Sequence, residues 1–244
     1  MKNVAIADVD PTEFGDDAAV REGADRLGAT DLAVNHYRIP PGEGFPSGLH
    51  AHGDQEEVFV VLDGTATFER LGPEREAADE IAVEAGEVVR FAPGEYQSGR
   101  NDGDELLVAL ALGAPPDSED VRVPLDCPEC GHGYLHPEAG GESEANGGSE
   151  TDEEAGAADG ETGETGVTLD CPACGAANVP RGCPDCGAEM RVALAGSDGA
   201  PSDPASAGTG DGTETATESE TGVSARTVVV CTECGGEARS PFET

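Results

Sequence analysis

The chain has 244 residues, 51 of them acidic and 13 basic, for a formal net charge of −38. That length holds one or two domains. The charge argues against a broad nucleic-acid surface, which needs a basic stripe, and no stretch approaches the roughly 20 apolar residues of a membrane-spanning helix.

The N-terminus, MKNVAIADVDPTEFGDD, turns acidic at once and has no long apolar core. It is not expected to be a signal peptide, and the expected location is cytoplasmic. Lys2 is the sole lysine; the other twelve basic residues are arginines. Such an acid excess would self-repel in dilute buffer. In molar salt the Debye length falls to about 3 Å and the repulsion is screened. The composition resembles that of extreme halophiles that keep salt inside the cell. The acidity then answers to the solvent and not to a partner. Residues 1–30 form an N-terminal segment without a firm assignment.

Residues 31–116 are strand-like throughout. TDLAVNHYRI, EEVFVVL, TATFER, EVVRFA and ELLVALAL are short runs rich in β-branched, aromatic or leucine side chains. PPGEG, LDG, EAG, APGE and NDGD punctuate them as turns. Short strands at this spacing predict an all-β sandwich or barrel. A long helical period is missing.

Inside that region lies GLHAHGDQEEVFVVLDG. Residues two apart on a strand share a face, so His50 and His52 aim together. Imidazole suits Zn, Fe, Ni or Cu, and a carboxylate such as Glu57 adds Mn to the choice. Two histidines on a strand are also often satisfied by structure alone. The surroundings add weight. Gly44, five residues, His50, one residue, His52, four residues, Glu57, six residues and Gly64 make one motif. Gly86, five residues, Ala92, then Gly94, Gln97 and Asn101 make a second, after a 21-residue spacer.

The two motifs resemble those of the cupin superfamily. The resemblance implies a small antiparallel barrel of jelly-roll type with one divalent metal (Mn, Fe, Ni or Zn) in its mouth. It places His50, His52 and Glu57 at ligand positions. Gln97 stands where the family usually has histidine, and Ala92 where it has proline. Gln97 is then a fourth donor, an amide facing substrate or orienting a ligand, or the mark of a weakened site. Arg38, Arg90 and Tyr96 are possible substrate-facing groups, with His36, Glu43 and Arg100 as further neighbours. Phe45, Phe59 and Phe91 are expected in the core.

All eight cysteines occur as C-x-x-C pairs: 127/130, 171/174, 183/186 and 231/234. In a reducing cytoplasm this spacing indicates metal binding and not disulfides. Two such pairs make a closed tetrahedral zinc site, and the pattern resembles zinc ribbons. The region is a repeat of knuckle, short strand, acidic insert, return strand and knuckle. Sequential pairing gives Cys127, Cys130, Cys171 and Cys174 one zinc, and Cys183, Cys186, Cys231 and Cys234 a second. The alternative joins the two inner pairs and leaves the outer pairs to each other. The first ribbon spans 117–175 and the second 176–244. The inserts at 139–165 and 195–222 lack large apolar side chains and are expected to be disordered. His132 and His136 are expected to be exposed and not to ligate.

The favoured function is a metal-binding cupin acting on a small oxygen-rich molecule, by dioxygenase, isomerase, decarboxylase or lyase type chemistry, with structural zinc ribbons. The alternative is a non-enzymatic, ligand-sensing cupin whose ribbons dock to a protein or nucleic-acid partner. A homodimer is possible, a nucleic-acid partner is not favoured, and a membrane partner is not expected.

Overall fold

The computed structural model describes residues 1–14, 17–139, 167–195 and 226–242. Among these, helix is limited to one turn of 3-10 helix and the four-residue α1 (Ala24–Leu27); the rest of the regular structure is strand. The strands are β1 (Thr12–Phe14), β2 (Ala18–Glu22), β3 (Ala33–Ile39), β4 (His50–His52), β5 (Glu56–Asp63), β6 (Thr65–Leu71), β7 (Ala78–Glu84), β8 (Val88–Phe91), β9 (Tyr96–Arg100), β10 (Leu107–Ala114) and β11 (Val121–Arg122). The cysteine-bearing half adds β12 (His136–Ala139), β13 (Val167–Asp170), β14 (Ala177–Asn178), β15 (Met190–Leu194), β16 (Thr227–Cys231) and β17 (Glu237–Ala238). The acidic inserts lie outside the described residues, save for Ala139 and Ala195.

Two antiparallel sheets face each other. One has the order β1-β2-β3-β10-β5-β8, the other β11-β4-β9-β6-β7. β10 shows why these residues make a two-faced strand: its burial alternates at every position from Leu107 to Ala114, the signature of one face in a core. Ile39, Phe59, Val61, Phe68, Phe91 and Leu107 fill the space between the sheets. Phe45 joins them, with its ring 5.2 Å from Phe59 and 5.5 Å from Phe68. Segments outside the strand-rich region extend both sheets. The β1–β2 hairpin adds to β3 through pairs such as Val20 with Tyr37. β11 adds to β4 by pairing Val121 with His52 and Arg122 with Ala51.

Each cysteine module is a three-stranded antiparallel sheet, β12-β13-β14 and β15-β16-β17. The arms that flank each insert pair as hairpins: Ala139 lies across from Val167, and Leu194 across from Thr227.

A second apolar core joins these modules to the outer face of the five-stranded sheet. Leu49, Ala51, Leu71 and Tyr96 from the barrel meet Leu125, Leu135 and Leu169 of the first module and Val192, Leu194 and Val229 of the second. Polar contacts follow the same seam. The Leu49 amide donates to the Val192 carbonyl at 2.9 Å. Arg75, in the loop after β6, donates to Asp126 at 2.7 Å, to the Gly133 carbonyl at 3.1 Å and to the Thr227 hydroxyl at 3.1 Å. The Thr227 hydroxyl in turn donates to the Pro124 carbonyl at 3.0 Å. One guanidinium therefore touches all three parts of the chain.

Charge-assisted hydrogen bonds contribute about 1.5–3 kcal/mol each when well placed. Arg75→Ala should lower unfolding free energy by about 1–3 kcal/mol, and Arg75→Lys should recover only part of it, because three acceptors need a fork. Denaturant titration followed by circular dichroism in molar KCl checks this. The same shared core predicts one cooperative transition for the whole chain; separate barrel and module transitions would contradict it.

Candidate metal centres

The four cysteine knuckles share one backbone pattern. Gly131, Gly175, Gly187 and Gly235 donate to the carbonyls of Cys127, Cys171, Cys183 and Cys231 at 2.8–3.1 Å. All four glycines have φ between 69° and 79°, a left-handed turn that a Cβ disfavours. The turns bring the sulfurs together in sequential pairs: Cys127, Cys130, Cys171 and Cys174 in one cluster, and Cys183, Cys186, Cys231 and Cys234 in the other. Sulfur separations are 3.8 Å for Cys127–Cys174, 3.6 Å for Cys130–Cys171, 3.6 Å for Cys183–Cys234 and 3.4 Å for Cys186–Cys231. A tetrahedral zinc with bonds of about 2.3 Å sets its sulfurs about 3.8 Å apart. The clusters fit that ion. The Cys234 backbone N–H, 3.5 Å from the Cys231 sulfur, is the largest influence holding that thiol down at about 6, which favours the thiolate a metal needs.

The third cluster is in the barrel. β4 sends His50 and His52 to one face and Ala51 to the other; β9 pairs Gln97 with His50 and Tyr96 with Ala51. The imidazoles and Gln97 thus face the cavity, while Ala51 and Tyr96 face the cysteine modules. β5 brings Glu57 from the opposite sheet. One donor atom from each of His50, His52 and Glu57 lies within 4.8 Å of the others. His52 Nε2 stands 3.8 Å from Glu57 Oε2.

The surroundings fix these groups. His50 Nδ1 lies 2.9 Å from the Gly48 carbonyl. A carbonyl only accepts, so Nδ1 carries the proton and Nε2 keeps its lone pair for the cavity. Gly48 has φ 61°, and a Cβ there would sit 3.0 Å from the Val192 carbonyl. The loop that orients His50 therefore rests on the second cysteine module. Gln97 Nε2 donates to Glu57 Oε2 at 2.6 Å. Burial lowers the pKa of His50. Burial, helped by His50, holds His52 down at about 4. Burial pushes Glu57 up to about 7. Both imidazoles are therefore neutral near pH 7 and able to ligate, and the buried His52 Nδ1 lacks a hydrogen-bond partner among the described residues. Two neutral imidazoles and a carboxylate are a donor set that fits a divalent ion.

The cluster opens into a cavity of about 340 Å³ lined also by Asn35, Tyr37, Gln55, Phe59 and Asp117. Room for it comes from small inward residues, Ala33 and Gly113; a Cβ at Gly113 would press into Gln55 at 2.9 Å. Gln55 itself is tied to the Pro115 carbonyl at 2.6 Å.

Other candidates fall elsewhere. Tyr96 is buried in the seam with the cysteine modules. Arg38 is exposed and, one residue along β3 from the cavity-lining Tyr37, belongs to the opposite face. Arg90 is ion-paired with Glu56 at 2.7 Å. Arg100 is held by Glu69, Glu80 and Asp102 at 2.7–3.0 Å. None of these four lines the cavity. His132 and His136, expected to be exposed, are half-buried; the Tyr134 ring lies 4.5 Å from His132 and 5.6 Å from His136. Asn35, Tyr37 and Gln55 were not legible as cavity groups; alternation along AVNHYRI puts Asn35 and Tyr37 on one face, but only register decides which.

Residues 35–113 match the family described as Cupin domain. The antiparallel sheets of that part of the chain agree with this match. Among solved structures, a protein provisionally described as a sugar phosphate isomerase, from Acidithiobacillus ferrooxidans, is 28% identical with a TM-score of 0.35, covering 40% of this chain and 58% of its own. Oxalate decarboxylase from Lactobacillus farciminis, solved as a formate complex, is 24% identical with a TM-score of 0.40, over 46% and 32% of the two chains. Oxalate decarboxylase from Bacillus subtilis, described with Mn(II) centres, is 20% identical with a TM-score of 0.41, over 48% and 30%. The chain thus spans 58% of the first and about a third of the others. No curated protein matches the chain. Among the described residues, no helix is long and apolar enough to cross a membrane.

The raised Glu57 carboxyl sets a pH dependence. Without metal, the raised Glu57 carboxyl contributes stability that is lost as pH rises from about 4.5 through 7. The lowered His50 and His52 contribute in the opposite sense below about 6.5, so the Glu57 contribution is read as the difference between wild type and Glu57→Gln. A metal must displace the same proton, so its affinity at the barrel should rise about tenfold per pH unit below pH 7 and level off above it. Glu57→Gln should abolish this slope. Competition titration with a metal-sensitive dye from pH 5.5 to 8.5 checks both.

Proposed function

We propose that the protein is a metal-dependent cupin. In this reading its barrel binds one divalent ion through His50, His52 and Glu57 and acts on a small oxygen-rich molecule, and its two cysteine clusters hold structural zinc. The convergence of His50, His52 and Glu57 on one cavity carries the reading. The reaction type falls among dioxygenation, isomerisation, decarboxylation and lyase chemistry, for each of which an ion held by His50, His52 and Glu57 would offer substrate oxygens a place to bind.

When bound, the ion would polarise a substrate oxygen or activate water. The chain's own residues do the rest. The Gly48 carbonyl holds the His50 ring in one tautomer. Gln97 holds Glu57 through its amide N–H, so Gln97 acts here as an orienting group for the carboxylate and not as a fourth ligand. Phe45 and Phe59 supply apolar wall to the cavity, which strengthens electrostatic interactions inside it.

Orienting partners of metal ligands are worth about 10–100-fold in metal affinity. Gln97→Ala should weaken barrel metal binding by about that factor while leaving both cysteine clusters loaded. Element-resolved metal analysis per chain in molar KCl measures this beside wild type, with His50→Ala and Glu57→Ala as controls. Two zinc plus one further divalent ion is the expected wild-type content. A metal content unchanged in both controls would remove the barrel site from the account.

A further inference from the structure

Granting the metal-dependent reading, the cavity also selects its ligand by charge. We infer that the barrel site accepts small oxygen chelators carrying at most one negative charge and discriminates against dianions. The observation is the placement of charge around the cavity. Among the described lining residues, none is a lysine or arginine. Of the guanidiniums that neighbouring strands carry, Arg90 is committed to Glu56, Arg100 to Glu69, Glu80 and Asp102, and Arg122 to Asp120, while Arg38 is exposed on the opposite face of β3. Arg191, from the second cysteine module, packs against Gly44 on the loop before β4 and is not part of the lining.

What the lining offers a ligand is uncharged. Asn35 and Tyr37 face the cavity from β3, and Gln55, whose amide N–H is spent on the Pro115 carbonyl, keeps its side-chain carbonyl as an acceptor. These groups suit hydroxyl, carbonyl or amide edges. The rim is acidic. Asp117 lines the mouth, and Asp54 fixes the same loop by accepting from the Ser118 hydroxyl at 2.6 Å and the Glu119 amide at 2.9 Å.

Charge counting turns this placement into selectivity. A divalent ion held by Glu57 and two neutral imidazoles keeps about one positive charge. One negative charge on the ligand is matched there. A second finds no cation among the lining residues and faces Asp117, and a desolvated charge without a partner is strongly disfavoured. The lining therefore fits a 2-oxo or 2-hydroxy monocarboxylate, or its amide, better than a dicarboxylate or a phosphate monoester.

Oxalate and oxamate test this directly, because they share a two-carbon chelating frame and differ by one charge. The probe is Mn2+ bound to the full chain in molar KCl, where the long-range repulsion of the chain's acid excess is screened. Electron paramagnetic resonance of the bound ion reads ligand binding without any turnover. Aqueous Mn2+ prefers oxalate by electrostatics alone, so the quantity compared is the oxalate-to-oxamate affinity ratio, on the protein and in water. The ratio should shrink on the protein by about tenfold or more, the equivalent of one missing charge-assisted hydrogen bond. Asn35→Lys, which puts a cation in the lining, should move it back toward the aqueous value. A wild-type ratio equal to or above the aqueous one overturns the inference, whatever the variant does. Mn2+ bound identically by wild type and Glu57→Gln would instead overturn the metal site beneath it.

Discussion

The structure depends on one sheet being apolar on both faces. The five-stranded sheet turns Phe68 toward the barrel interior and Leu71, Ala51 and Tyr96 toward the cysteine modules. A barrel sheet exposed to water would carry polar residues on its outer side. Here the outer side is covered by the modules, whose Leu125, Leu135, Leu169, Val192, Leu194 and Val229 are buried in the same cluster as the sheet's own residues. Barrel and modules thus complete each other, and Arg75 ties the polar rim of that seam.

The same two-faced geometry places the candidate site. In H-A-H on β4, the two imidazoles face the cavity because the alanine faces the seam. Alanine's small side chain lets the modules approach the back of the strand. The carbonyl of Gly48 orients His50 from the front, and Gly48 itself lies against Val192 from the back. A histidine ring in the barrel is therefore held by a contact chain that ends in a cysteine hairpin. Gln97 completes the arrangement from β9. Its amide N–H donates to the Glu57 carboxylate across the cavity.

Much of this was legible in the sequence for a definite reason. Period-two alternation and turn residues marked β3, β5, β6, β8 and β10, and fixed spacing marked His50, His52 and Glu57. The repeated C-x-x-C knuckles, each ending in glycine, marked both sulfur clusters. The β1–β2 hairpin escaped because VDPTEFGDDAAV is acidic and short, and its strands gain stability from pairing with β3 and not from their own pattern. β7 escaped because ADEIAVE buries only Val83, as a sheet-edge strand can. The fates of Arg38, Arg90 and Tyr96 followed from register, which a single strand's pattern does not fix: a shift of one residue exchanges the cavity face for the outer one.

The covered sheet has a consequence for anyone dissecting the protein. A fragment cut after Pro116 would keep His50, His52 and Glu57, yet it would lose Asp117 from the cavity lining and β11 from beside β4, and it would bare Leu49, Ala51, Leu71 and Tyr96 to solvent. Hydrocarbon laid open in this way invites self-association. Trimming to the smallest recognisable unit would yield a sticky remnant, so studies of the cavity belong on the intact polypeptide.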